Sequence, residues 1–195
     1  MPDLLTGPTN GTGTLVIDTE TNGLLRNATR LHCLSIYWVE EDRTESFNDE
    51  PYAKNPKELP MASGYSITTG LSWISLANMV IGHNIVGFDL PLIKRLYPFF
   101  DYPPIIIDTL LLSRLYHPNL YDIDKKQEWA GMPKQLYGSH SLEAYGYRLG
   151  EHKGDYGKTT DWSEWSQEMQ DYCEQDVVVT KKLCDHFHPY LSGLR

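Results

Sequence analysis

The run Leu15-Val16-Ile17-Asp18-Thr19-Glu20-Thr21-Asn22-Gly23 constrains this chain more than any other stretch. Residues 14–18 have the composition of a buried strand, and Gly23 marks the tight turn that follows. Side chains alternate along a strand, so Asp18 and Glu20 leave the same face, about 7 Å apart along the backbone. Two carboxylates on one face at the mouth of a buried strand repel each other, and a divalent cation is the simplest positive partner. Taken alone, the tripeptide fits a solvated strand end equally well. Other groups must reach the same place if Asp18 and Glu20 are to do chemistry.

Further along, residues 31–39 and 44–47 alternate in the manner of strands and are joined to the first by short turns, which predicts an antiparallel meander. Residues 48–65 form a Pro-rich, polar loop. The pattern then changes to helix over 68–77, strand over 79–82, helix over 90–96, strand over 105–107 and helix over 109–116. Alternating helix and strand predicts a parallel section of sheet. The expected fold class is therefore α/β: a mixed five-stranded sheet, meander plus parallel strands, flanked by helices. Residues 117–139 lack periodicity and predict a long surface loop. A short helix over 141–149 ends at Gly150, and a charged loop covers 151–162. The last helix is capped by Ser163 or Ser166 and runs to about Phe187. Residues 1–13, rich in Gly, Thr and Pro, predict a flexible leader before a single domain over 14–195.

Composition narrows the function. The chain has 195 residues, enough for one domain with a substantial core. No apolar run is long enough to span a bilayer, and no secretory signal opens the chain. The three cysteines, Cys33, Cys173 and Cys184, show no Cys-x-x-Cys spacing. A disulfide framework is not expected, and a reducing cytoplasm is the natural compartment. A formal net charge of −9 argues against a protein that grips long duplex DNA by neutralising it. It leaves room for an enzyme that handles a few nucleotides through metals.

Three further pieces join the opening strand. In Gly82-His83-Asn84-Ile85-Val86-Gly87-Phe88-Asp89, a strand ends in a polar loop and Asp89 stands where the next helix begins. A helix N-cap is the plain reading of Asp89, and Asn84 fits a turn. In Tyr172-Cys173-Glu174-Gln175-Asp176-Val177-Val178-Val179, Tyr172 and Asp176 share one helix face. The β-branched run after Asp176 implies burial, and buried carboxylates need partners. Glu174 and Asp171 should be solvated. Asp108, another acid at a strand end, fits a helix cap or a group supporting the site. Four converging acids, Asp18, Glu20, Asp89 and Asp176, would be neutralised by two divalent cations. Carboxylate, water and phosphate oxygens suit Mg²⁺ or Mn²⁺. His83, His140, His186 and His188 are scattered and are expected to lie outside the ligand set.

The order Asp-x-Glu, Asn-x4-Asp and Tyr-x3-Asp resembles the DnaQ-like 3′–5′ exonuclease superfamily, in its DEDDy branch. Beyond these motifs, Asp108-Thr109-Leu110-Leu111-Leu112-Ser113-Arg114-Leu115, residues 138–150 and residues 175–181 resemble the proofreading domain of family A DNA polymerases of short-tailed bacteriophages. The resemblance implies a ribonuclease H-like fold. It also implies a two-metal 3′–5′ exodeoxyribonuclease that releases nucleoside 5′-monophosphates, in proofreading or DNA degradation during replication. Asp18 would bridge both metals, Glu20 and Asp176 would hold the first, and Asp89 the second. Tyr172 would orient the attacking water. Thr21, Asn22 and Leu24 would contact the 3′-terminal nucleotide, and Asn84 and Phe88 would line the strand's path. The expected partners are DNA with a single-stranded or frayed 3′ end and a separate polymerase or replisome protein, in the cytoplasm of a phage-infected host. Two other functions fit the same residues: a ribonuclease D-like RNA exonuclease, and a noncatalytic module that binds DNA ends.

Overall fold

The computed structural model describes residues 13–50, 66–127, 129–151 and 161–193. The expected leader and most of the loops predicted at 48–65 and 151–162 lie outside these residues. Five strands form one sheet in the order β3-β2-β1-β4-β5. β1 (Thr14–Thr21), β2 (Leu31–Trp38) and β3 (Arg43–Asn48) make the antiparallel meander. β4 (Met79–Gly82) and β5 (Ile105–Asp108) run parallel to β1. The helices are α1 (Ile67–Leu76), α2 (Asp89–Leu96), α3 (Thr109–Tyr116), α4 (Leu120–Lys126), α5 (Leu142–Leu149) and α6 (Gln167–Leu191). The mixed α/β sheet expected from the sequence is what forms.

Strand alternation sorts β1 between two cores. Leu15 and Ile17 pack into one cluster with Leu34, Ile36, Leu71, Ile74, Leu90 and Ile93, under α1 and α2. Gly70 lets α1 lie close, because a Cβ there would stand 2.7 Å from Leu34 and 2.9 Å from Phe47. Val16 faces the other way, onto Val177 and Cys184 of α6. Asp18 and Glu20 continue the Val16 face, so they look toward α6. Pairing with β4 stops at Val16↔Ile81, whereas pairing with β2 continues to the end of β1. The last turn of β1 is therefore open on its β4 side, at the carboxyl ends of the parallel strands. Crevices at that edge of an α/β sheet are where ligands bind.

Several boundaries differ from expectation. β1 extends three residues beyond Asp18, so both acids lie inside a strand. The loop predicted at 117–139 contains α4 and a short 3-10 helix, Lys134–Leu136. α6 is capped by Ser166, whose Oγ accepts from the Met169 N–H, and it runs past Phe187 to Leu191. Tyr190 stacks on Tyr116 at 4.6 Å and extends the apolar seam there. Glu174, expected to be solvated, is half-buried and accepts from Ser46 Oγ on β3.

Asp108 is a cap, as expected, and more. It accepts from Leu110 N and Leu111 N at the start of α3, and from Asn84 N at 3.0 Å and Val86 N at 3.2 Å. It thereby holds the loop between β4 and α2 against the neighbouring strand end. Asp108→Ala leaves those part-buried donors without their acceptor, and the expected cost is about 1–2 kcal/mol. Urea unfolding of the variant checks this; Asp108→Asn, which keeps one acceptor oxygen, should recover about half.

Candidate active site

Asp18 and Glu20 are half-buried, and each brings a carboxylate oxygen within 4.8 Å of the other and of Cys173 Sγ. Cys173 is fully buried on α6, with its sulfur 3.3 Å from the Asp18 carbonyl and 3.6 Å from Asp18 Oδ2. Asp89 and Asp176 stand outside this closest group. Asp89 is not an N-cap: Phe88 occupies that position, and Asp89 is the first residue of α2. Its Oδ1 accepts from Thr19 Oγ1 at 2.6 Å. Thr19 projects from the opposite face of β1 to Asp18, so this bond draws Asp89 around the open edge of the strand. Asp89 is 5% exposed. Burial and then the Asp18 charge push its carboxyl well above the usual carboxylate range, against the opposing pull of the Thr19 hydroxyl.

α6 supplies the other wall. Tyr172 and Asp176 lie one turn apart on the helix that packs across β1, β2 and β4. Asp176 is 7% exposed. Burial, with the charges of Glu20 and Asp18 behind it, pushes the Tyr172 phenol far up, so the hydroxyl keeps its proton. Tyr172 precedes Cys173, the α6 residue whose sulfur reaches Asp18. The donor chemistry fits a hard divalent cation: two carboxylates crowded on a half-buried strand face, with a third, buried acid raised first by burial and then by the Asp18 charge. Asp18, Glu20, Asp89 and Asp176 are the residues that could hold it. The thiol of Cys173 is the soft exception.

The residues expected to touch a nucleotide divide in two. Leu24 is 78% exposed at the tip of the loop after β1. Thr21 and Asn22 turn their side chains inward. Thr21 Oγ1 donates to the Gly23 carbonyl, and Asn22 bonds Thr29 Oγ1, Thr29 N and Arg30 N. Both shape the loop that presents Leu24. Asn84 is exposed and adopts the left-handed conformation, φ 62°, which asparagine tolerates better than most residues. Phe88 is half-buried beside Asp89. Among the histidines, His83 bonds Thr109 and His140 bonds Ser113, while His117 and His186 pair with each other. The sequence alone assigns no part in the site to Thr19, Cys173 or His32. Alternation could have placed Thr19 beside the strand edge, but nothing local reveals that its partner is Asp89.

Residues 15–188 match the family model of the RNase H superfamily. The chain belongs to that superfamily, and its ordered motifs place it with the DnaQ-like type, a class of metal-dependent exonucleases. It is similar to the DNA-directed DNA polymerases of Escherichia phage T7 and Enterobacteria phage T3, each 34% identical over 193 residues and 88% of this chain. The aligned part is 26% of either polymerase, so the chain spans about a quarter of these relatives. A solved structure of Brucella melitensis NrnC with bound Mg²⁺ shares the fold, with TM-score 0.53 and 18% identity, covering 100% of this chain and 89% of that one. No helix among the described residues is long and apolar enough to cross a membrane.

Proposed function

We propose that this chain is a two-metal 3′–5′ exodeoxyribonuclease that releases nucleoside 5′-monophosphates from DNA ends, in proofreading or degradation during replication. The observation that carries the reading is the convergence of Asp18 and Glu20 on α6 at Cys173, the residue after Tyr172, with Asp89 bonded to Thr19 of the same strand end. Identity with two phage DNA polymerases over most of the chain favours DNA as the substrate. Asp18, Glu20, Asp89 and Asp176 would hold two divalent cations, Mg²⁺ or Mn²⁺. Such ions, when bound, neutralise the scissile phosphate and make water easier to deprotonate.

The chain's own groups then have defined tasks. Tyr172, held protonated, is no base; its hydroxyl donates and accepts hydrogen bonds and so aims the attacking water. The water oxygen bonds to phosphorus as the bond to the 3′ oxygen of the penultimate nucleotide breaks. The water loses its proton to solvent, and the departing oxygen gains one. Thr21 and Asn22 hold the loop that carries Leu24 to the terminal base, and Asn84 and Phe88 line the path of the strand. With a net charge of −9, the domain would depend on a separate polymerase or replisome protein to present the 3′ end.

The reading is tested by incubating 5′-labelled single-stranded, paired and 3′-mismatched DNA, with matched RNA alongside, in Mg²⁺ and in chelator. Metal-dependent shortening from the 3′ end, fastest on single-stranded and mismatched DNA, is expected. Faster loss of RNA transfers the assignment to an RNA exonuclease, and absence of any shortening defeats it. Leu24→Ala should cost about 1–2 kcal/mol of binding, roughly a five- to thirtyfold rise in KM for single-stranded DNA. Stability should move by less than about 0.5 kcal/mol, since Leu24 is largely exposed in the free protein. Initial rates over a substrate series, beside a urea curve, check both.

A further inference from the structure

The pairing of β1 with β2 slips by one residue just past Glu20. Glu20 pairs with Cys33 and Thr21 with Leu31, which leaves His32 as the extra residue of a β-bulge. His32 is 1% exposed. Its Nε2 lies 3.1 Å from the Trp162 carbonyl, an acceptor only, so Nε2 carries the proton and donates. Burial lowers the imidazole's pKa, favouring its neutral form, and Nδ1 is buried with no hydrogen-bond partner among the described residues. A phenylalanine or leucine would fill this space without such a desolvation cost. The bond to the Trp162 carbonyl is what neither of those side chains could make.

That bond fixes Trp162, which lies in the segment leading into α6. The Trp162 indole meets the Tyr172 ring edge-on, with centroids 6.4 Å apart and planes at 76°. Trp162 and Trp165 also pack on Cys33, Met169 and Cys173, the small core beneath Asp18. A continuous set of contacts thus runs from the bulge to the Trp162 backbone, through its ring, to the ring of Tyr172.

We propose that His32 is a positioning residue: by holding the Trp162 carbonyl it seats the indole against Tyr172 and so sets where the Tyr172 hydroxyl points. The inference rests on the exonuclease reading above and adds a residue through which Tyr172 is aimed. His32→Leu removes the bond and keeps the bulk. His32→Gln offers an amide N–H near the Nε2 position, whereas His32→Asn stops short of it.

The test is a double-mutant cycle on 3′-end digestion of single-stranded DNA. His32→Leu is expected to lower kcat by about tenfold with KM within about twofold. His32→Gln should recover activity to within about threefold of wild type, and His32→Asn should not. In a Tyr172→Phe background, His32→Leu should change kcat by less than about twofold, because the hydroxyl it serves is gone. Penalties that multiply in the double variant overturn the inference, as does equal failure of Gln and Asn. Trp162→Leu, which keeps the carbonyl and removes the ring, must show the same dependence on Tyr172, and it decides the matter if His32→Leu does not fold. A wild-type chain that digests nothing defeats the exonuclease reading itself. An active wild type with multiplying penalties defeats only the role of His32.

Discussion

Asp18→Ala is expected to lower 3′-end digestion by roughly a thousandfold or more, about 4 kcal/mol of transition-state stabilisation, without weakening the fold. The proposed assignment gives Asp18 the most central place. It neighbours Glu20 on the strand face, its charge adds to burial in raising the Asp89 carboxyl, and it lies against Cys173 of α6. Without it, cations held by the remaining acids lose the group proposed to join them. The same geometry predicts the stability result. Asp18 is a half-buried charge among like charges, so its removal relieves repulsion in the metal-free protein. The thermal midpoint without metal should stay level or rise, and the increase in midpoint on adding Mn²⁺ should shrink. Asp176→Ala should match it in activity. Wild-type digestion by either purified variant rejects the site, and lost activity with a collapsed midpoint reassigns the residue to the fold.

The parts of this arrangement that depend on local periodicity were legible in the sequence. Asp18 and Glu20 share a face because strands have period two, and Tyr172 and Asp176 share one because helices return after four residues. The alternation of strands and helices likewise predicts the parallel half of the sheet. What escaped depends on contacts between distant residues. Asp89 reads as an N-cap because it begins a helix, yet Thr19, 70 positions earlier, claims its oxygen. The bulge at His32 has no signature in Leu31-His32-Cys33, since register is a property of two strands together. α4 has too few residues to display a helical stripe and reads as loop. Its order comes from outside, through Asp124.

Arg148→Met should destabilise the protein by about 3–5 kcal/mol at neutral pH, because it strands a buried carboxylate. Arg148 on α5 donates from Nε to Asp124 Oδ1 at 2.9 Å and from Nη2 to Oδ2 at 2.7 Å, and its Nη1 donates to the Ser139 carbonyl. The side chains of Asp124 and Arg148 are 0% and 5% exposed. Trp129 Nε1 and the Gly138 N–H complete the shell of Asp124, so one pair ties α4, α5 and the segment between them. Burial alone would raise the Asp124 carboxyl; the Arg148 bonds and charge, the Gly138 N–H and the Trp129 N–H together hold it below the ordinary range. A carboxyl depressed in the folded state stabilises above its unfolded pKa of about 3.9, and that contribution is lost as pH falls through the folded value. In Arg148→Met the balance reverses. Burial dominates, the folded carboxyl titrates above the unfolded one, and ionisation now destabilises. The gap between wild type and variant should therefore be widest near pH 7 and narrow as pH falls toward 4, where the variant's Asp124 is neutral. Urea unfolding across that range measures the gap. A gap independent of pH would mean that Arg148 acts through its packing over the Tyr145 ring, 4.8 Å away, and not through its charge. Asp124→Leu combined with Arg148→Met should cost less than the sum of the single changes, since neither then leaves a buried charge behind.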